Sequence, residues 1–355
     1  MPLSYLSNWA PFRIDALGLV TLIGAEEVNR SVGRLVQSRY AKYLPLLGAH
    51  LIADNQFTTM TSGFHLYNVS DAIRTPGLSA WLTRWLKSQN LKMSTTVFEW
   101  SVAPGKSQES KSGCGKAWDA LLAALIGFLT IGGSLVLVVA MGDWWGLANT
   151  ISMIVSVVVR CCLVQENVDA LDKAVLDACY ERSGIQGGSE KVKLLISLAD
   201  GRMVTMYAPR GLVLEGFTKR LTILQPRLYS YTRALGWFVF GVHVLSLGQA
   251  TFLNQIYAIA LLVLSTWATA KGIGSNEYYI TEHISAKRVE NYPFCPDKRK
   301  WAYIRLGCNG VEEESLADWG LLPRKANTKW WRDFKESEEQ WKFQKYRKSY
   351  DTAKV

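Results

Sequence analysis

The stretch Asp119-Ala-Leu-Leu-Ala-Ala-Leu-Ile-Gly-Phe-Leu-Thr-Ile-Gly-Gly-Ser-Leu-Val-Leu-Val-Val-Ala-Met141 carries no charge after its first residue. About 20 apolar residues, at a rise of ~1.5 Å each, cross a hydrocarbon core of about 30 Å, so this stretch predicts a membrane-spanning helix. Gly142-Asp-Trp-Trp-Gly146 follows and predicts a tight turn with interfacial aromatic residues. Residues 147–159 are apolar again and predict a second span that ends at Arg160.

A second apolar block repeats this design. Residues 234–247 and 256–270 are apolar, and the polar interruption 248–255 between them predicts another helical hairpin. The predicted fold class is therefore a membrane protein, mainly α-helical, with two transmembrane helical hairpins (four spans), a small cytosolic α+β part and amphipathic terminal helices. The predicted divisions are an N-terminal cytosolic region with interfacial helices (1–116), the first hairpin (117–164), a cytosolic helix with a β-hairpin (165–233), the second hairpin (234–270) and a cytosolic C-terminal region (271–355).

The distribution of positive charge predicts the orientation. The chain has 40 Lys and Arg against 30 Asp and Glu, and neither proposed hairpin turn contains a Lys or Arg. Basic residues concentrate on the cytosolic side of membrane proteins, so both termini are expected in the cytosol. The expected location is the endoplasmic reticulum or the plasma membrane, as a multi-pass protein. A buried hairpin in a soluble protein is the alternative, because periodicity alone does not separate a core helix from a lipid-facing one.

Several segments outside the proposed spans have recognisable patterns. Residues 80–87 predict an amphipathic helix that lies either at a membrane interface or on a soluble domain. Asp200-Gly201 between β-forming runs predicts a hairpin, and the runs 278–285 and 301–305 predict two more strands.

Three further segments predict helices. Residues 165–183 predict a helix that continues the second span. The aromatic and charged tail, residues 329–350, predicts a helix that docks on the protein itself or on an anionic bilayer. The apolar stretch 16–25 predicts a short helix or, less favoured, a signal sequence.

No known catalytic motif and no cysteine–histidine spacing typical of zinc occurs, so neither a cofactor nor a metal is predicted. Polar groups inside apolar segments carry more information, because such groups usually face a helix bundle or water. The weak catalytic candidates are Asp143, Asp119 and His243. A polar intramembrane site is predicted at Trp144, Trp145, Asn149 and Ser152, with an aromatic belt and a polar helix–helix seam as the alternative interpretation. Cys161 and Cys162, at the end of the proposed second span, are candidates for palmitoylation, with two small apolar residues of the helix end as the alternative interpretation.

The segments 142–149, 159–160 and 43–50 resemble parts of multi-pass integral membrane proteins of filamentous fungi that have no assigned activity. This resemblance implies membrane residence and transfers no catalytic residue. The leading hypothesis is a membrane protein whose cytosolic surface acts as a scaffold or binds a protein partner. The alternatives are a membrane-bound enzyme acting on a lipophilic substrate, in fungal specialised metabolism, and an oligomeric channel or carrier. The predicted partners are the lipid bilayer, a cytosolic protein and further copies of the chain, without nucleic acid.

Overall fold

The computed structural model describes residues 43–46, 62–104, 113–181, 187–271, 280–289 and 298–352. The predicted short helix or signal sequence at 16–25 lies outside these residues. The helices are α1 (Ala80–Ser88), α2 (Gly113–Met141), α3 (Trp144–Leu176), α4 (Pro226–Gln249), α5 (Phe252–Ala270), α6 (Arg299–Leu306), α7 (Gly310–Asp318) and α8 (Thr328–Thr352). The strands are β1 (His65–Asn68), β2 (Ile73–Thr75), β3 (Thr96–Val102), β4 (Lys191–Ser197), β5 (Met203–Pro209) and β6 (Ile284–Val289).

The six strands form one mixed sheet in the order β2-β1-β4-β5-β3-β6. Neighbouring strands are antiparallel except β3 and β5, which are parallel. The predicted hairpin is confirmed, because β4 and β5 pair antiparallel on either side of Asp200-Gly201. Gly201 has a φ of +83°, a conformation that glycine adopts without the steric cost of a side chain.

Helices cover both faces of this sheet, which explains why the central strands are buried on both sides. On the first face, Leu194 and Ile196 join a core with α1 and the final turns of α3. Leu195, between them on β4, points to the second face and packs with residues of α6, α7 and α8. The α8 helix places Phe334 in that second core, so the predicted docking of the tail on the protein itself is confirmed.

Aromatic rings dominate the first core. Trp100 of β3 lies 4.8 Å from Trp85 and 5.1 Å from Phe217, centroid to centroid, in edge-to-face arrangements. The Trp81 indole donates a 2.9 Å hydrogen bond to the Gly216 carbonyl. Helix α1 therefore lies on the sheet, and the structure favours the soluble-domain alternative for its apolar face over the membrane-interface one.

Helices α2 to α5 form a separate helical layer beside the sheet domain. Helix α3 belongs to both parts: Val159 and Leu163 pack against Tyr229 of α4, whereas Leu171 and Val175 belong to the first sheet core. The predicted continuation of the helix beyond residue 165 is confirmed. Arg160 does not end the helix but is 1% exposed in its interior, where its guanidinium donates a 2.5 Å hydrogen bond to the Leu44 carbonyl.

The predicted four-span, mainly α-helical membrane fold is wrong. The protein is mixed α/β, with a six-stranded sheet between helices. Among the described residues, two helical segments are long and apolar enough to cross a membrane, Trp144–Tyr180 and Phe252–Thr269, and Leu125–Met141 is a shorter apolar segment. Helix α4 is not apolar enough, because Arg233, His243 and Gln249 interrupt it. The helices therefore do not support a multi-pass integral location, although two apolar helices are compatible with membrane association.

Two of the predicted strands also need correction. Residues 301–305 lie in helix α6 rather than in a strand, and their aromatic side chains pack on the second face of the sheet. Strand β6 starts at Ile284, near the end of the predicted run 278–285, and residues 278 and 279 lie outside the described residues.

Candidate functional site

Asp143 is the centre of the most densely hydrogen-bonded group in the helical layer. It caps the N-terminus of α3, where its Oδ1 accepts a 2.9 Å hydrogen bond from the Gly146 backbone N–H. Its Oδ2 accepts 2.7 Å hydrogen bonds from the Thr251 backbone N–H and from the Asn254 side-chain amide. The carboxylate therefore joins the α2–α3 turn to the α4–α5 turn. We call Asp143, Gly146, Thr251 and Asn254 the tip cluster.

The tip cluster is closely packed. Asp143 is only 8% exposed. A Cβ atom added to Gly146 would lie 2.8 Å from both the Asn254 amide nitrogen and Asp143 Oδ2, closer than real contacts allow. A larger side chain at position 146 would therefore displace the Asp143 carboxylate and the Asn254 amide.

The polar residues between the apolar parts of α4 and α5 form hydrogen bonds within the protein. Gln255 is fully buried, and its side-chain amide donates a 3.0 Å hydrogen bond to the Leu247 carbonyl near the end of α4. Carbonyl groups in the last turn of a helix lack partners in the helix itself, so this hydrogen bond caps α4. The residues that follow the α4–α5 turn thus have two roles. Gln255 caps the C-terminus of α4, and Asn254 donates a hydrogen bond to the Asp143 carboxylate.

The residues of the predicted polar intramembrane site differ in their exposure. Trp144 and Trp145 follow Asp143 directly at the start of α3, and their side chains are 76% and 54% exposed. Asn149 is buried, and the Ser152 hydroxyl donates to the Ala148 carbonyl of its own helix. The contact between α2 and α3 comes from another pair, the hydroxyls of Ser134 and Thr150 at 2.7 Å.

The catalytic candidates are also separated. His243 is buried beside a cavity of about 10 Å³ that is lined from α3 by Met153 and Ser156. Met153 lies roughly 15 Å along α3 from Asp143, at ~1.5 Å per residue. A cavity of this size has room for about one water molecule. Asp119 lies in α2, and its side chain is outside the described part of the chain.

Cys162 is exposed and Cys161 is half-buried on α3, next to Arg160. Both lie inside a continuous helix rather than at its end. Cys162 is about 27 Å from Trp144 along the helix axis, a distance close to the thickness of a hydrocarbon core. Palmitoylation of these cysteines stays a prediction.

Within the described residues, no group of three or more His, Cys, Asp or Glu side chains is arranged to hold a metal ion. The Asp71 carboxylate instead takes part in a structural ion pair with Arg210, whose Nε and Nη2 donate hydrogen bonds of 3.0 and 2.7 Å. These hydrogen bonds lower the pKa of Asp71 below its usual value. The pair connects the β1–β2 turn to the end of β5.

A second feature of the helical layer is its apolar surface. Most exposed large apolar side chains of the described residues lie on α2 to α5, where contiguous patches of this kind usually mark a binding surface. We call this surface the apolar belt. Its members are Leu125, Phe128, Leu129, Val136, Val139, Trp144, Trp145, Ile151, Val158, Leu228, Tyr231, Leu235, Trp237, Phe238, Leu245, Ile256, Val263, Leu264 and Trp267.

The sequence contained a signal for one part of the tip cluster. An aspartate directly before a helical run is a typical N-cap, so the capping role of Asp143 was predictable. Its contacts with Thr251 and Asn254 were not, since they join positions more than a hundred residues apart. No family profile, curated protein or solved structure matches the chain, so inference about its function rests on this geometry.

Proposed function

We propose that this protein associates with a lipid bilayer through the apolar belt and that its α/β domain serves there as a binding surface for a protein partner. The observation that carries the proposal is the apolar belt itself. Single exposed apolar residues are common on soluble proteins, whereas a surface shared by four adjacent helices is not.

The dimensions of the apolar belt support contact with lipid. On α4, Leu228 and Leu245 lie about 25 Å apart, and on α2, Leu125 and Val139 lie about 21 Å apart, at ~1.5 Å per residue. These heights exceed half of the ~30 Å thickness of a hydrocarbon core, so the apolar belt is tall enough to contact the acyl chains of one leaflet. Two of the helices concerned, α3 and α5, contain the segments that are apolar and long enough to cross it.

The absence of charge supports the same proposal. No charged residue occurs at positions 234–270. Asp143 is the one charged residue at positions 120–159, and its carboxylate is buried and accepts three hydrogen bonds. A group satisfied in this way adds no exposed charge that lipid would have to cover.

The energy available is sufficient for binding. Covering one exposed Leu or Phe side chain contributes about 1.5–3 kcal/mol. Four such side chains would contribute roughly 6–12 kcal/mol, and a free energy of about −8 kcal/mol already corresponds to micromolar affinity.

Flotation of the purified protein with phosphatidylcholine vesicles tests the membrane part. Phe238 of the apolar belt and Phe343 of α8 are 70% and 71% exposed, so they form a matched pair. We expect Phe238→Ser, combined with Leu245→Ser, to reduce the fraction bound to vesicles, and Phe343→Ser to leave it unchanged. Circular dichroism checks that each variant is folded.

The same experiment separates lipid from other occupants of the apolar belt. Detergent-free protein that stays monodisperse and does not float would refute the proposal. Discrete dimers in light scattering, without vesicle binding, would assign the apolar belt to a second copy of the chain instead. For the scaffold part, crosslinking on vesicles followed by mass spectrometry should identify one defined protein attached to the sheet domain, and its absence would count against that part.

A further inference from the structure

Basic side chains lie at one rim of the apolar belt. Arg227 and Arg233 are exposed in the first turns of α4, and Lys271 is exposed directly after α5. Helix α4 runs toward the tip cluster and α5 runs back from it, so Arg227 and Lys271 lie at the same end of this helix pair. Arg227 is about 34 Å and Lys271 about 30 Å from the α4–α5 turn at ~1.5 Å per residue.

The opposite rim of the apolar belt carries no basic side chain. The two turns at the tip contain no Lys or Arg, and their exposed large side chains are the indoles of Trp144 and Trp145. The nearest carboxylate, Asp143, is buried. Near the basic rim, α3 carries two acids: the Oε1 of Glu166 accepts a 2.6 Å hydrogen bond from the Gln225 backbone N–H, and the exposed Asp169 accepts a 2.8 Å hydrogen bond from the Gln165 side chain. The belt is therefore positive at one edge and uncharged at the other.

The order of side chains along each helix matches the order of layers in a lipid monolayer. Arg227, Tyr231 and Leu235 are spaced four residues apart, so they follow one another on one face of α4. Trp267 and Lys271 have the same spacing at the end of α5. On both helices a cation is followed by an exposed aromatic ring toward the apolar belt, which is the arrangement found at headgroup level.

We propose that this rim binds the phosphate groups of anionic phospholipids, with Arg227 and Lys271 as the principal contacts. The inference rests on the proposed function and adds to it a lipid class and an orientation: the α/β domain lies on the side of the anionic leaflet. A guanidinium group pairs with phosphate through two parallel hydrogen bonds, and a lysine ammonium contributes a point charge. Exposed aromatic rings lie beside both cations. Acyl chains of a bilayer would cover these rings, whereas a soluble phosphate would leave them exposed to water, so we favour a phosphate in a bilayer.

Vesicle flotation with and without phosphatidylserine tests this proposal. Each basic residue near an anionic surface strengthens binding about fivefold, so Arg227→Gln combined with Lys271→Gln should lower partitioning to anionic vesicles roughly 25-fold. Binding to pure phosphatidylcholine should not change. The matched control is Lys329→Gln with Arg332→Gln, which removes the same charge from the exposed side of α8.

The outcomes separate this proposal from the one on which it rests. Wild-type protein that binds both vesicle types equally, or a double variant that keeps the preference for phosphatidylserine, would overturn the lipid assignment while membrane association stands. Failure of the wild type to bind either vesicle would refute membrane association itself. An equal loss in the α8 control would show a general charge effect and overturn the role of the rim. Full competition by soluble glycerophosphoserine would also overturn it, since the bilayer would then be unnecessary.

Discussion

Replacing Asp143 by alanine removes the group that connects the two helical turns. Its carboxylate caps α3 through Gly146 and accepts from the Thr251 N–H and the Asn254 amide. The variant leaves all three donors without this acceptor in a region where Asp143 itself is 8% exposed. We therefore expect a loss of stability rather than the loss of a chemical step.

The magnitude follows from these contacts. Loss of an N-cap costs about 1 kcal/mol. A hydrogen bond to a charged group contributes about 1.5–3 kcal/mol, and two such bonds are lost in addition to the cap. Since contacts that share one acceptor are not additive, we expect Asp143→Ala to reduce the free energy of unfolding by about 3–5 kcal/mol. Asp143→Asn keeps one acceptor oxygen and should lose about half of that amount.

Urea unfolding at a fixed detergent concentration, followed by circular dichroism, measures the difference. Asp318→Ala is the control, because Asp318 is exposed at the end of α7 and the unfolding midpoint should not shift. An Asp143→Ala variant with the wild-type midpoint would refute the structural role of the tip cluster. A variant that is equally stable but inactive in a metabolite assay would support the catalytic hypothesis for Asp143.

Three further predictions concern the α/β domain. Trp100→Ala should cost about 3–5 kcal/mol in urea unfolding, because the ring is fully buried among aromatic neighbours. Asp71→Asn should be less stable than wild type at pH 6. That difference should begin to fall near pH 3.9, the usual pKa of an unfolded aspartate, and disappear only at a lower pH, because Arg210 lowers the pKa of Asp71 in the folded state and the carboxylate contributes stability only when ionised. Burial raises the pKa of the Cys308 thiol to about 12, so iodoacetamide at pH 8 should label exposed Cys162 at least ~10-fold faster, as measured by peptide mass spectrometry.

The correctly predicted parts of the fold are those specified by neighbouring residues. The β4–β5 hairpin depends on Asp200-Gly201 and on the two strands beside it. Helix α1 was predicted from its amphipathic spacing, but that spacing did not reveal what its apolar face contacts. Trp81 and Trp85 of α1 contact Trp100, which lies on β3, a strand that was not predicted from the sequence.

The sheet itself depends on contacts between distant parts of the chain. Strand β3 pairs in parallel with β5, so its partner begins about a hundred residues later. The aromatic and β-branched side chains of residues 301–305 predict a strand, because such side chains are frequent in strands. These side chains instead form the buried side of α6, which shows that contact with a sheet can select the same residue types in a helix.

Charge close to apolar segments is accommodated in two different ways. Arg160, predicted as the end of a membrane span because a cation is costly in lipid, lies inside the helix, where it is buried and has the Leu44 carbonyl as an acceptor. Asp143, a weak catalytic candidate from the sequence, accepts from Gly146 three residues away and from Thr251 and Asn254 on the other turn, and its catalytic role stays a prediction. Arg160 and Asp143 each have a partner far away in sequence, so a charged residue between apolar runs is a poor marker of a helix boundary. The basic residues at the rim of the apolar belt differ from both, because they are exposed and lie beside exposed aromatic rings, so their environment invites a ligand from outside the fold.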